Sequence, residues 1–341
     1  MKTLIVGGGG FIGAHLLEEI LRNHRNWQVT VIDINSEKIS HLLLDKNVKF
    51  FEIDIVRNSI EDHVSDCDVM LPLAAIASPA VYVTDPLRVF ELDFEANLKI
   101  IKWAVKYQKR VIFPSTSEVY GMCADEEFLE DESNCVTGPV SKQRWIYSCS
   151  KQMLDRVIYA HGLKNNLDYT LFRPFNWIGP KLDDISNPES GSSRVVTQFL
   201  SNIIHGKDIK LVDGGNQIRS FTDIADAIAA LIKIILNENN CATRQIFNIG
   251  NPHNQTSIKN LAQEIVELAK KYDQLKSLAE KTKIIEIDPN EYYGKGYQDV
   301  SCRIPSIKKA ETVLQWTPTV SLRESLRKIM DDLFKKNASS R

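Results

Sequence analysis

Two periodicities alternate along the first 175 residues of the chain. Short apolar, β-prone runs at residues 3–6, 28–33, 48–53, 68–75, 110–114 and 169–174 have the length and composition of buried strands. Between several of them, apolar residues recur every three or four positions, as on the buried face of a helix. The first run breaks into Gly7-Gly8-Gly9-Gly10-Phe11-Ile12-Gly13 and resumes as a helical pattern from Ala14. Residues 85–108, and the segment containing Tyr147 and Lys151, also read as helices. Six strands alternating with helices predict an α/β fold built on a doubly wound parallel Rossmann sheet.

Beyond residue 176 this alternation fades. Residues 183–193 predict a polar loop and 194–205 an amphipathic helix. Residues 209–215 and 219–223 suggest a hairpin-like loop with Lys210 and Arg219 at its ends, leading into a helix capped by Thr222 or Asp223. A late strand at 246–249 could rejoin the sheet, and helices are expected from Ser257, Ser306 and Ser321 onward. The expected division is a cofactor-binding Rossmann domain over residues 1–175, to which 220–250 returns, and a smaller C-terminal α/β substrate-binding domain over 176–341.

Composition narrows the class. With 341 residues, 43% of them hydrophobic and 25% charged, the chain can bury a large core or two moderate ones. A formal net charge of -2 offers no general attraction to nucleic acid or an anionic membrane, so neither is expected as a partner. Six cysteines (Cys67, Cys123, Cys135, Cys149, Cys241, Cys302) form no C-x-x-C pair, which argues against a zinc knuckle or disulfide framework and fits a reducing cytoplasm. His15 and the other histidines show no ligand spacing, so no metal site is expected. The N-terminus reaches glycine too early for a signal peptide, and no apolar run approaches the ~18 residues that span a bilayer.

The candidate chemistry lies where the strands end. Gly7, Gly10 and Gly13 form G-x-x-G-x-x-G between a strand and a helix, where missing side chains allow a tight turn and backbone approach to a pyrophosphate. Asp33 ends the second strand about ~20 residues later, where a carboxylate bonds a ribose diol and disfavours a ribose phosphate, so NAD is expected over NADP. Asp54, followed by Ile55, could lie near the adenine or simply cap a helix. Leu73, Ala74 and Ala75 are small enough to leave room for a cofactor. Thr116, Ser117 and Glu118 follow the fifth strand, where open α/β sheets bind ligands. Tyr147 and Lys151 share a helix face, so the ammonium should favour the phenolate and lower its pKa. That pair alone is a common pattern, and it gains meaning only beside a nucleotide site.

Together these motifs resemble the extended short-chain dehydrogenase/reductase family of nucleotide-sugar enzymes. Residues 113–123, 144–148, 171–177 and 292–300 are similar to the UDP-glucuronic acid decarboxylases of polymyxin resistance within it. The resemblance implies that Tyr147, assisted by Lys151 and Thr116, removes the sugar C-4 hydroxyl proton as hydride passes to NAD. The resulting ketone, beta to the C-5 carboxylate, would release carbon dioxide to give a UDP-4-keto-pentose. Related dehydratases carry Asp where this chain has Ser117, so dehydration is disfavoured. By the same resemblance Arg303 orients the carboxylate, with Glu118 on the other side of the ring. Asn176, Arg194, Lys210 and Arg219 would hold the uridine diphosphate, while Arg144 and Tyr297 contact substrate. A homo-oligomer, a dimer, is expected through helices 85–108 and 146–161. Retention of NADH, giving UDP-xylose or a 4-epimer, remains an alternative, as does a non-catalytic NAD sensor.

Overall fold

The protein, described as a computed structural model over residues 1–186 and 193–338, is organised around a seven-stranded parallel sheet. Its strands run in the order Gln245–Ile249, Tyr169–Pro174, Arg110–Pro114, Val69–Pro72, Lys2–Val6, Gln28–Asp33 and Val48–Glu52. Lys2–Val6 pairs with Gln28–Asp33 on one side and Val69–Pro72 on the other, so the strand order reverses there and a crevice opens beyond the strands' C-terminal ends. Near-continuous apolar composition follows from burial on both faces. Leu4 and Val6 face one core with Met70, Phe113 and Leu171, whereas Ile5 faces the other with Val31, Leu71, Ile112 and Phe247.

Helices cover each face according to their apolar stripes. Phe11–Asn23 and Ile224–Leu236 pack on the Ile5 side, and Asn97–Tyr107 and Trp145–Asn165 on the Leu4 side. Asp223, one of the two predicted caps, accepts a hydrogen bond from Ala225 N at 2.9 Å and starts Ile224–Leu236. At the other end Arg110 donates to the carbonyls of Ile234 and Ile235 at 2.7 and 2.9 Å, satisfying the last turn with a cation. Ser257 caps Ile258–Ala269 through Asn260 N.

Several expectations change in detail. The late strand is a seventh member of the sheet, paired with Tyr169–Pro174. The hairpin does not form: Ile209–Val212 pairs in parallel with Ile284–Ile287, and Ile218–Ser220 lies between Gln255–Ser257 and Cys302–Arg303. Partners far along the chain outcompete the local turn because Gly214 and Gly215 redirect the backbone at φ +67° and +69°. The predicted helix 85–108 runs from Pro86 to Tyr107 but contains a π-helical turn at Glu91–Ala96. The fourth strand is shorter than predicted, ending at Pro72. Of the predicted loop 183–193, residues 187–192 lie outside the described residues. The last two helices are Lys308–Leu314 and Leu322–Ala338.

Gly13 packs the first helix directly on the glycine turn, since a Cβ there would stand 2.5 Å from Gly8 Cα. Backbone cannot yield as a side chain does. Gly13→Ala is therefore expected to lower stability by about 1–3 kcal/mol in urea denaturation, in line with overpacking elsewhere.

Candidate active site

A cavity of about 670 Å³ opens at the C-terminal end of the sheet. Its walls include Gly7, Gly10, Phe11, Ile12, Gly13, Leu73 and Ala75 at one end, and Asn176, Lys210, Arg219, Tyr297 and Arg303 at the other. Thr116, Ser117, Glu118, Arg144, Tyr147, Lys151 and Arg194 also line it. Most of the residues singled out in the sequence therefore converge. Four do not line it: Asp33, Asp54, Ile55 and Ala74. Asp33 is nevertheless tied to the glycine turn, accepting from Gly9 N at 2.8 Å. Asp54 caps its own turn through Val56 N at 2.9 Å and pairs with Arg57, while Ile55 is buried in the core. No helix starts at Asp54, so the expected helix cap is instead the cap of a turn.

The glycine turn fits a dinucleotide. Gly7 has φ +82°, and a Cβ on it would meet Ala74 N at 2.4 Å. Near Gly10 the closest atom to such a Cβ is Gly7 O at 3.2 Å, so the approach to the helix N-terminus is open. Gly10 caps that helix with no side-chain hydrogen bond, leaving its first N–H groups available to an anion. Asp33 stands beside this turn without a neighbouring arginine at residues 34 and 35.

Tyr147 and Lys151 occupy one face of Trp145–Asn165 over the end of Arg110–Pro114. Tyr147 stacks on Tyr82, with ring centroids 4.8 Å apart and planes within 7°. The expected lowering of its pKa is not observed. Burial, followed by the charges of Asp93 and Glu118, pushes the phenol well above its ordinary value, while the Thr116 hydroxyl works in the opposite direction. The reason is that Lys151 Nζ lies 5.8 Å from the Tyr147 ring centroid and 3.6 Å from Asp93 Oδ1, so its charge is shared with a carboxylate. Burial in turn lowers the Lys151 pKa, with Asp93 and Asp155 opposing that shift.

At the far end the charged side chains form one buried network. Arg144 donates to Glu118 Oε2 at 2.9 Å, and Arg303 donates to Glu118 Oε1 at 3.3 Å and to Ser117 Oγ at 3.4 Å. Arg219 donates to Asp299 Oδ1 at 2.7 Å, and Arg144 reaches the same oxygen at 3.9 Å. Burial opposes ionisation of Glu118, yet Arg144 and Arg303 hold its carboxyl below the usual range. Glu118 and Arg303 thus meet directly rather than from opposite sides of a ring. Arg303 is 6% exposed and belongs to a short strand ahead of the last helices, not to the surface.

The remaining predicted contacts have partners of their own. Arg194 forms an ion pair with Asp183 at 2.7 Å and lies over the Phe11 ring. Asn176 donates to Ser220 O at 2.9 Å from a left-handed backbone at φ +39°. Tyr297 stacks on Tyr293 with centroids 4.1 Å apart. Lys210 lines the cavity, and its ammonium has no hydrogen-bond or ion-pair partner among the described residues. Sequence reading missed Tyr82, Asp93 and Asp299. No local motif marks them as functional, although Asp299 lies two residues after Tyr297 within the stretch 292–300.

A parallel sheet with a glycine turn at its switch point, and a tyrosine–lysine pair over the same cavity, defines a dinucleotide-dependent oxidoreductase. The chain belongs to the NAD dependent epimerase/dehydratase family, whose model matches residues 3–250, and NAD is its cofactor. Among solved structures, the PbgP3 protein from Burkholderia pseudomallei is 48% identical, with a TM-score of 0.89 over 100% of this chain and 98% of that one. The UDP-glucose 4-epimerase of Thermotoga maritima, solved with UDP-glucose, is 23% identical with a TM-score of 0.79, covering 99% of this chain and 100% of that one. The UDP-glucuronic acid 4-epimerase of Bacillus cereus, in complex with UDP-glucuronic acid and NAD, is 22% identical with a TM-score of 0.80 over 98% and 100%. These last two share the fold.

Gly7, Gly10 to Gly13 and Asp33 would hold NAD, and Leu73 and Ala75 line the same cavity. When bound it supplies the hydride acceptor. Replacing Tyr147 by Phe removes the hydroxyl while retaining the ring stacked on Tyr82. Tyr147→Phe is expected to lose NAD reduction by at least ~100-fold in absorbance assays, with calorimetric NAD affinity unchanged.

Proposed function

We propose that the chain catalyses NAD-dependent oxidative decarboxylation of UDP-glucuronic acid. The observation that carries this reading is the charge balance of the buried network: among the described residues Arg144, Arg219 and Arg303 pair with Glu118 and Asp299, three cations against two anions. One positive charge is left for a ligand anion beside Ser117. A carboxylate on the sugar supplies it, and guanidinium groups recognise carboxylates with directional hydrogen bonds. Lys210 and Arg219 suit the diphosphate.

In this reading Tyr147, as its phenolate and with Thr116 beside it, takes the C-4 hydroxyl proton while the C-4 hydrogen leaves with its electron pair for NAD. A C-4 ketone results. The bond between C-5 and the carboxylate carbon then breaks, carbon dioxide departs, and its electron pair passes to the C-4 oxygen as an enolate. Arg303 and Arg144 orient the carboxylate and balance charge as it is lost, since an arginine stays protonated at any working pH. Protonation at C-5 completes a UDP-4-keto-pentose. Exposed Met153, Tyr159 and Leu163 on Trp145–Asn165 are consistent with self-association through that helix.

Incubation with NAD and UDP-glucuronate should release carbon dioxide and NADH in equal amounts. Carbon dioxide without net NADH would instead indicate a retained cofactor and UDP-xylose, and an isomeric uronate without carbon dioxide would indicate 4-epimerisation. No turnover of any uronic acid nucleotide would overturn the proposal. Arg303→Met is expected to reduce carbon dioxide release by at least ~100-fold, comparable to removing one preorganised electrostatic contact, with NAD affinity unchanged by calorimetry.

A further inference from the structure

The π-helical turn at Glu91–Ala96 brings two polar side chains into the protein. Asn97, immediately after it, donates to Ala74 O at 3.3 Å and Leu92 O at 2.9 Å. Asp93 accepts from Ile76 N at 2.9 Å with Oδ2, and its Oδ1 lies 3.6 Å from Lys151 Nζ. Both Asp93 and Lys151 have 0% exposure. π-Turns of this kind recur at functional sites because the extra residue re-aims side chains that a regular helix would carry past their target.

We infer that Asp93 is a positioning residue whose charge keeps Lys151 an ammonium and so sets the pH range over which Tyr147 can accept a proton. A lysine wholly removed from water tends to become neutral unless a carboxylate stands beside it. The groups around Lys151 are the rings of Phe113 and Tyr147, at 4.9 and 5.8 Å, and the carboxylates of Asp93 and Asp155. Asp155 is already engaged, accepting from Ser115 Oγ at 2.7 Å and pairing with Arg173 at 3.5 Å. That leaves Asp93 as the anion for Lys151. Around Tyr147 stand Tyr82, Thr116, Asp93, Glu118 and Arg194. Burial pushes the Asp93 carboxyl up to about 6, with Lys151 opposing that shift, so Asp93 is an anion above that pH.

The sign of the effect follows. Asp93 raises the pKa of Lys151, so its loss makes the ammonium disappear at lower pH as pH rises. Asp93 also raises the pKa of Tyr147, so its loss lets the phenol ionise at lower pH. Both limbs of the pH profile move toward acid. Asp93→Asn tests this cleanly, because the amide oxygen can still accept from Ile76 N while the charge is gone. The proposal rests on the NAD-dependent oxidation and not on decarboxylation, so activity is followed as NADH formation with whichever of UDP-glucuronate or UDP-glucose the wild-type chain oxidises.

In D93N the kcat/KM profile should shift acidward by at least one pH unit, giving at least a ~10-fold relative loss on its alkaline side, while calorimetric NAD affinity is unchanged. A profile of wild-type shape, at whatever overall rate, would overturn the proposal, as would a loss explained by weaker NAD binding. A second measurement needs neither substrate nor the Asp93→Asn variant. Lysine side-chain nitrogen NMR of the wild-type protein, with the Lys151 resonance assigned by its absence in K151M, should find an ammonium at pH 8. A neutral amine there would overturn the inference even if the substrate assignment stands.

Discussion

Charge held out of water governs the working end of this molecule. Lys151 and Asp93 are wholly buried, and Glu118 sits between two guanidinium groups, so each ionised group depends on its neighbour to avoid the desolvation of a lone charge. Removing one partner from such a pair typically costs about 3–5 kcal/mol, far more than the pair contributes over apolar replacements. The site is therefore rigid for an electrostatic reason: moving any one side chain strands another. Tyr147 experiences the sum of these fields, and burial, Asp93 and Glu118 together raise the pKa of its phenol.

Beneath this layer lies a second polar network that fixes the floor. Ser115 Oγ donates to Asp155, Arg173 pairs with Asp155 and donates to the Tyr120 hydroxyl at 2.8 Å, and Tyr120 donates to Asn248 Oδ1 at 2.7 Å. Asn248 N donates to Glu130 at 2.9 Å, which anchors the acid-rich loop before the Tyr147 helix. Strands from residues 110, 169 and 245 onward are thereby cross-linked just behind Thr116 and Ser117. Networks of this kind fix a geometry only when nearly every member is satisfied.

The parts of this arrangement legible in the sequence are those set by local pattern. Strand runs such as 28–33, 110–114 and 169–174 match their observed spans because burial on both faces leaves a continuous apolar run bounded by turn residues. Glycine spacing located the nucleotide turn, and the tyrosine–lysine spacing located one helix face. Contacts between distant segments were not legible. Nothing near residue 209 signals a parallel partner at 284, and nothing near residue 93 signals a lysine 58 positions later at 151, because a π-turn breaks the 3.6-residue periodicity that would reveal which face is buried. The direction of the phenol's pKa was not legible for a related reason: the Tyr147–Lys151 spacing is local, while the burial that dominates the shift and the Asp93 carboxylate that adds to it come from remote segments.

The position of Gln245–Ile249 beside Tyr169–Pro174 also bears on how the chain reaches its native state. Tyr169–Pro174 is synthesised some seventy residues before its outer neighbour, and meanwhile presents an apolar edge with unpaired backbone groups. Parallel pairings across such separations form slowly, because loop closure precedes any gain from contact. An emerging chain is thus vulnerable to edge-to-edge association during that interval. The opposite edge needs no such cover: Val48–Glu52 carries Lys49 and Glu52, and its outward charges discourage another strand from adding there.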